Sequence, residues 1–209
     1  MAIAFSAAVA LLALAAGASA PPLRTGPPIG ITVTASRSVP KEIVAMTLAE
    51  AESIWRRAGF TFAWHVGGPP IPTVLRVTID EARRPSDGSE VSLGWVVFDD
   101  DASPEPDIHL SYASAVDLFV QTLGVGHDMF RMPLLERDTM LSRALGRALA
   151  HELGHYLLGS KAHTGTGLMQ TRRSAADFFG PSHANFGISS LQRAEVAARL
   201  SPTLVVGSR

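Results

Sequence analysis

Residues 151–169 read HELGHYLLGSKAHTGTGLM, and the fold turns on what that stretch is. It opens with His-Glu-x-x-His, adds a third histidine at His163 and ends on Met169. In an α-helix, side chains four residues apart share a face, so His151 and His155 present two imidazoles from one rigid segment. Glu152 lies about 100° around the helix from His151, as 3.6 residues per turn require. That puts a carboxylate beside the pair and not within it. A catalytic zinc site takes three protein ligands and leaves a fourth position for water, whose proton a neighbouring carboxylate can accept. A structural helix with two incidental histidines would carry the same five letters. The residues downstream argue against that: Gly159 is a natural helix stop, and His163 comes eight residues after His155, enough chain to loop back.

Upstream, Leu141, Ala144, Leu145, Ala148 and Leu149 recur at helical spacing, an inward stripe that His151 and His155 continue. This helix is expected to start near Asp138 or Thr139, either of which can cap it, with Arg143 and Arg147 turned outward. Further back, Ile31, Val33 and Ala35 alternate with Thr32, Thr34 and Ser36, the pattern of a strand. Val44, Leu48, Ala51, Ile54 and Trp55 come next at helical spacing between Pro40 and Gly59. Phe60, Phe62, Trp64 and Val66 then alternate, stopped by GGPP, and Leu75, Val77 and Ile79 make a third strand. VSLGWVVFDD (91–100) supplies a fourth, and DIHLSY (107–112) a fifth with Ile108, Leu110 and Tyr112 on one face. After Ala113 the pattern turns helical or looped, with GVGHD (124–128) as a break. The order β-α-β-β-β-β, then helices, predicts an α/β (α+β) class. The expected architecture is a mixed twisted sheet of about five strands, a site-bearing helix and a small C-terminal helical subdomain.

The chain has 209 residues, 46% hydrophobic and 18% charged, with a net charge of −1. That composition can bury a core, and it shows no basic stripe of the kind nucleic-acid binding requires. There is no cysteine, which excludes disulfides, thiolate zinc sites, thiol catalysis and a lipoprotein anchor. The first twenty residues, MAIAFSAAVALLALAAGASA, are uncharged and apolar and end in small residues, as a secretory signal does. Cleavage after Ala18 is favoured over Ala20, which would leave Pro21 first, so residues 1–18 are assigned as signal peptide. Residues 19–28 form a Pro-rich leader and 29–209 a single domain. A secreted, periplasmic or extracellular location is the consequence. The alternative is an uncleaved membrane anchor, since the apolar run approaches spanning length and no Lys or Arg stands near Met1.

With Met169 fourteen residues beyond His155, the stretch resembles the metzincin metallopeptidases, whose pattern is H-E-x-x-H-x-x-G-x-x-H followed by a Met-containing turn. The matrixin branch is the nearest in layout, and the preceding strand–helix order is similar too. Two departures stand out. Leu158 occupies the family's glycine position with Gly159 one place late, and Lys161 occupies its third histidine position with His163 two places late. The resemblance implies a metzincin-like zincin fold, Zn2+ held by His151, His155 and His163, Glu152 as general base, and Met169 as the turn methionine. Two other third ligands remain open: Asp177 in SAADFFG, as in aspzincin peptidases, and Glu195 on an expected C-terminal helix, as in gluzincins.

The implied activity is that of an exported zinc-dependent metalloendopeptidase acting on a peptide or protein substrate. Glu152 would deprotonate the water that attacks a zinc-polarised carbonyl. A non-catalytic exported zinc-binding or scaffolding protein on the same fold is the alternative, and a zinc hydrolase of non-peptide amides a third; the intact Glu152 favours an enzyme. No nucleic-acid partner is expected, and no stable membrane partner unless the N-terminal segment stays uncleaved. VSLGWVVFDD is a candidate edge strand for pairing with extended substrate. DDDASPEPD (99–107) reads as a solvated turn ahead of a calcium site. His65, His109, His127 and His183 lack partners at ligand spacing and read as structural or exposed.

Overall fold

The computed structural model describes residues 26–67, 75–84, 92–123 and 131–201. The signal segment, most of the Pro-rich leader, GVGHD and His127 lie outside the described residues. The described chain runs β1 (Ile29–Ala35), α1 (Lys41–Arg56), β2 (Phe62–Val66), β3 (Leu75–Asp80), β4 (Gly94–Phe98) and β5 (Pro104–Ser111). Then come α2 (Tyr112–Leu123), α3 (Leu134–Leu158), α4 (Ala175–Phe179), a 3-10 turn (Ala184–Phe186) and α5 (Ser190–Leu200). The α/β order expected from the alternation is the order observed.

Five strands form one sheet in the order β2-β1-β3-β5-β4. Neighbours are parallel except β4, which runs antiparallel to β5 and closes the sheet as an edge strand. Alternate residues set the faces: Ile31, Val33, Leu75, Val77, Ile79, Ile108 and Leu110 are buried, while Thr34 and Arg76 stay exposed. The buried face carries α3, which packs on β4 and β5 and on α1, while Trp55 of α1 meets Phe62 of β2 edge-on. The Trp55 indole on α1 donates to the Ala150 carbonyl at 3.0 Å, a buried cross-link placed just ahead of His151. No described helix is long and apolar enough to cross a membrane.

Three local expectations are corrected. Helix α3 starts at Leu134, a full turn before Asp138, with Pro133 in the N-cap position (φ −53°, ψ 133°) and no side-chain cap. Proline's fixed φ suits a helix entrance, and the Pro133 carbonyl accepts from the Glu136 and Arg137 N–H groups at 3.0 and 3.1 Å. Asp138 is buried against Arg137, and the Thr139 hydroxyl donates back to the Leu135 carbonyl at 2.6 Å. Arg147 does not face outward: it is 1% exposed, ion-paired to Glu50 of α1 at 2.8 Å, and donates to the Asp177 and Phe178 carbonyls. Arg143 is half-buried and donates to the Phe179 carbonyl at 3.3 Å. Finally, Tyr112 leaves the strand to begin α2.

Candidate metal centre

The turn that ends α3 also aims its histidines. Gly159 takes a left-handed conformation (φ 62°, ψ 36°), and its N–H reaches the His155 and Tyr156 carbonyls. An L-residue with a side chain rarely adopts that region, so glycine here lets the chain reverse toward the helix it has just left. Ser160 comes next, and its carbonyl lies 2.7 Å from His155 Nδ1. On the other side, the Leu168 carbonyl lies 2.8 Å from His151 Nδ1.

A carbonyl oxygen only accepts, so in both imidazoles Nδ1 carries the hydrogen and Nε2 is left with a bare lone pair. Those two Nε2 atoms face each other at 3.0 Å. Two lone pairs at that distance repel, and a shared cation removes the repulsion. The third ring belongs to His163, whose centroid is 5.3 Å from that of His151 and 4.8 Å from that of His155. One ring nitrogen from each of the three lies within 4.8 Å of the others. Tetrahedral zinc with Zn–N bonds of about 2.0–2.1 Å separates its nitrogens by about 3.3 Å. The His151–His155 pair is close to that spacing, and a rotation of the exposed His163 closes the wider gap. Burial pulls His151 down to about 4 and lowers His155 as well, so both are neutral at physiological pH, the form a metal requires. The donor set fits zinc.

Glu152 is 9% exposed, its side chain lies beside Gly94 of β4, and it is not among the groups that could share an ion with the three rings. Burial raises its carboxyl to about 7, opposed by the Val96 backbone and by Arg84. His151, Glu152, His155 and His163 line one cleft of about 1110 Å³, with β4 as its opposite wall. Met169 is 2% exposed, in a turn closed by Gln170 N–H on the Gly167 carbonyl at 3.2 Å. Its sulfur lies under α3 against Gly154, where any Cβ would overlap it.

The structure brings His151, His155 and His163 together and leaves Asp177 and Glu195 elsewhere. The Asp177 carboxylate accepts from Ser174 Oγ at 2.7 Å, capping α4, and from Asn185 Nδ2 at 2.6 Å. Glu195 is exposed on α5. The departures in the motif have a local explanation. Leu158 is buried, α3 runs through that position, Gly159 makes the reversal, and the residues before His163 carry the ring back. His109 stacks on Trp95 with centroids 5.1 Å apart, His183 contacts Glu50 at 2.8 Å, and His65 is exposed. Asp99 accepts from the Ser103 N–H at 2.7 Å, so the acidic segment makes the turn into β5.

One residue escapes any reading by spacing. Arg173 Nη2 donates to the Leu168 carbonyl at 3.0 Å and to that of Gly167, Nη1 donates to Asn185 at 3.1 Å, and the guanidinium lies over Phe186. The carbonyl that orients His151 is therefore itself held in place. No motif marks this residue, because its partners are backbone atoms of a turn. Arg173→Ala is expected to weaken zinc binding about 10–100-fold, as loss of a group behind a ligand does. Chelator competition measures this, and unchanged affinity would show that the turn holds Leu168 unaided.

A five-stranded mixed sheet, an edge strand facing a long helix and a histidine cluster at that helix's end define a zincin-like fold. Among solved structures the chain is similar to archaemetzincin from Methanopyrus kandleri, with a TM-score of 0.50, 12% identity, and coverage of 83% of this chain and 96% of that one. At that identity the likeness speaks for the fold. No family model and no curated protein matches the sequence.

Proposed function

We propose that this protein is an exported zinc-dependent metalloendopeptidase of metzincin type with a matrixin-like layout, its zinc held by His151, His155 and His163. The observation that carries this reading is the pair of bare Nε2 atoms at 3.0 Å, fixed by two carbonyls, with a buried carboxylate alongside. A bound zinc supplies a Lewis acid, which polarises a scissile carbonyl and acidifies a water. The protein's own groups do the rest. The Leu168 and Ser160 carbonyls hold the imidazoles in one tautomer and orientation. Glu152, beside β4, takes the proton of the attacking water and returns it to the leaving amine. Met169 packs beneath the helix and supports it without touching the reaction. Edge strand β4 borders the cleft, and an extended peptide lying along it would add as a further strand. Export rests on the apolar segment 1–18.

The test is cleavage of a mixed peptide library by the purified protein. Cleavage is expected, lost on treatment with a zinc chelator and restored by adding zinc back. One equivalent of bound zinc with no cleavage of any peptide would favour the non-catalytic scaffold, and cleavage indifferent to chelation would remove the metal from the reaction.

A further inference from the structure

Charge is distributed unevenly over this molecule. The chain carries 18 Lys and Arg against 19 Asp and Glu, yet the cleft is lined by four cations, Arg84, Arg147, Lys161 and Arg173, and by one carboxylate, Glu152. Lys161 lies over Phe98 on the His155 side. Arg147 precedes His151 by one helical turn, and both it and Arg173 lie against the Phe186 ring, 4.8 and 4.0 Å from its centroid. Two guanidiniums therefore stand together in the cleft lining, and Arg84 lies near enough to Glu152 to act on it.

Part of this charge has a structural use. Arg147 gives Nε to Glu50 and Nη1 to two carbonyls, and Arg173 gives Nη1 and Nη2 to carbonyls. The structural use leaves a remainder. Arg147 Nη2 is buried with no hydrogen-bond partner, and neither Arg173 nor Arg84 has a carboxylate in an ion pair among the described residues. The acid nearest in effect to Arg173, Asp177, is already held by Ser174 and Asn185. Guanidinium donors left over in a cleft wall match a carboxylate better than any neutral group.

We propose that the cationic lining of the cleft, Arg84 with the Arg147–Arg173 pair, is a subsite for a carboxylate carried by the substrate. The substrate class is an acidic peptide: an Asp or Glu side chain, or a free C-terminal carboxylate, close to the scissile bond. Arg147 and His151 are four residues, about 6 Å of helix rise, apart, and extended chain advances about 3.3 Å per residue, which places the carboxylate about two residues from that bond. This assignment of the substrate rests on the peptidase reading, whereas binding of the carboxylate does not.

The experiment measures fluorescence anisotropy of labelled heptapeptides with the metal-free full chain, then cleavage of the same peptides with zinc. The peptides are amidated and differ only by Ala, Asp or Lys at each position, with one free-acid version of the Ala peptide. Asp at one position is expected to bind about tenfold tighter than Ala, the scale of one charge-assisted bond, with Lys weaker than Ala and the preference reduced by added salt. In Arg84→Glu, at an exposed position where folding is not at stake, that preference should shrink at least about threefold. Tight binding of the free-acid Ala peptide assigns the subsite to a chain terminus, and tight binding of amidated Asp peptides alone assigns it to a side chain. Equal binding of Ala, Asp and Lys peptides, or a preference that Arg84→Glu leaves intact, overturns the subsite even if every peptide is cut. Acidic peptides that bind tightly and are never cut would leave the subsite standing and remove the peptidase reading.

Discussion

Glu152→Gln is expected to bind zinc as the wild type does and to lose about 10²–10⁴-fold in turnover, the range for removing a positioned general base. The substitution is nearly isosteric, so the side chain keeps its place beside Gly94 of β4. Only the ability to take a proton disappears. Because Glu152 is not among the groups that could share an ion with the three imidazoles, its loss should not change metal stoichiometry, and that separates it from the ligands. In His155→Ala the metal itself should go, since a two-histidine site cannot hold three of the four positions zinc requires. Zinc content by elemental analysis and initial rates on one cleaved peptide measure both quantities on the same preparations. A Glu152→Gln protein that kept full turnover would remove Glu152 from the mechanism.

The second large effect concerns stability. Arg147→Met should destabilise the fold by about 3–5 kcal/mol, the range for removing one partner of a buried ion pair. Arg147 is 1% exposed and joins α3 to Glu50 on α1 and to the carbonyls of residues 177 and 178 in α4, so one guanidinium ties three helices together. Burial lowers its pKa and Glu50 opposes that shift, as expected of a cation kept charged by one close carboxylate. Methionine fills much of the space but leaves Glu50 facing only His183 and leaves both carbonyls unmet. The double variant Glu50→Gln with Arg147→Met should recover part of the loss, because the stranded charge is then gone. Urea denaturation of the four proteins in the cycle gives the number. A cost under about 1 kcal/mol for Arg147→Met would mean the node is surface-like and carries little.

Much of this architecture is legible in the residues, and the parts that are not have physical causes. The strands announce themselves because one face of the sheet is buried, which forces Val33, Val77 and Ile108 to alternate with polar neighbours. Their order does not: β3 pairs with β5, past the β4 that lies between them in sequence, and no local pattern shows which strand will be left as the edge. The histidine pair and its base are visible because a single helix fixes their geometry. The start of α3 is hidden because Pro133 replaces a capping side chain, and because Leu134 and Leu135 are exposed and break the stripe. Arg147 misleads through its charge. It stands four residues before His151, on the line that His151 and His155 continue, so spacing alone turns it inward. Arg173 gives no such signal, since it acts through the backbone of Gly167 and Leu168.

The central claim is a three-histidine zinc site, and zinc K-edge absorption of the purified protein tests it most directly. One zinc per chain is expected, with three imidazole nitrogens at about 2.0–2.1 Å and a remaining oxygen from water. One imidazole should be missing from the spectrum of His163→Ala, and none from that of Asp177→Ala. A wild-type spectrum with two imidazoles and a carboxylate, or a protein that retains no zinc, would contradict the three-histidine site.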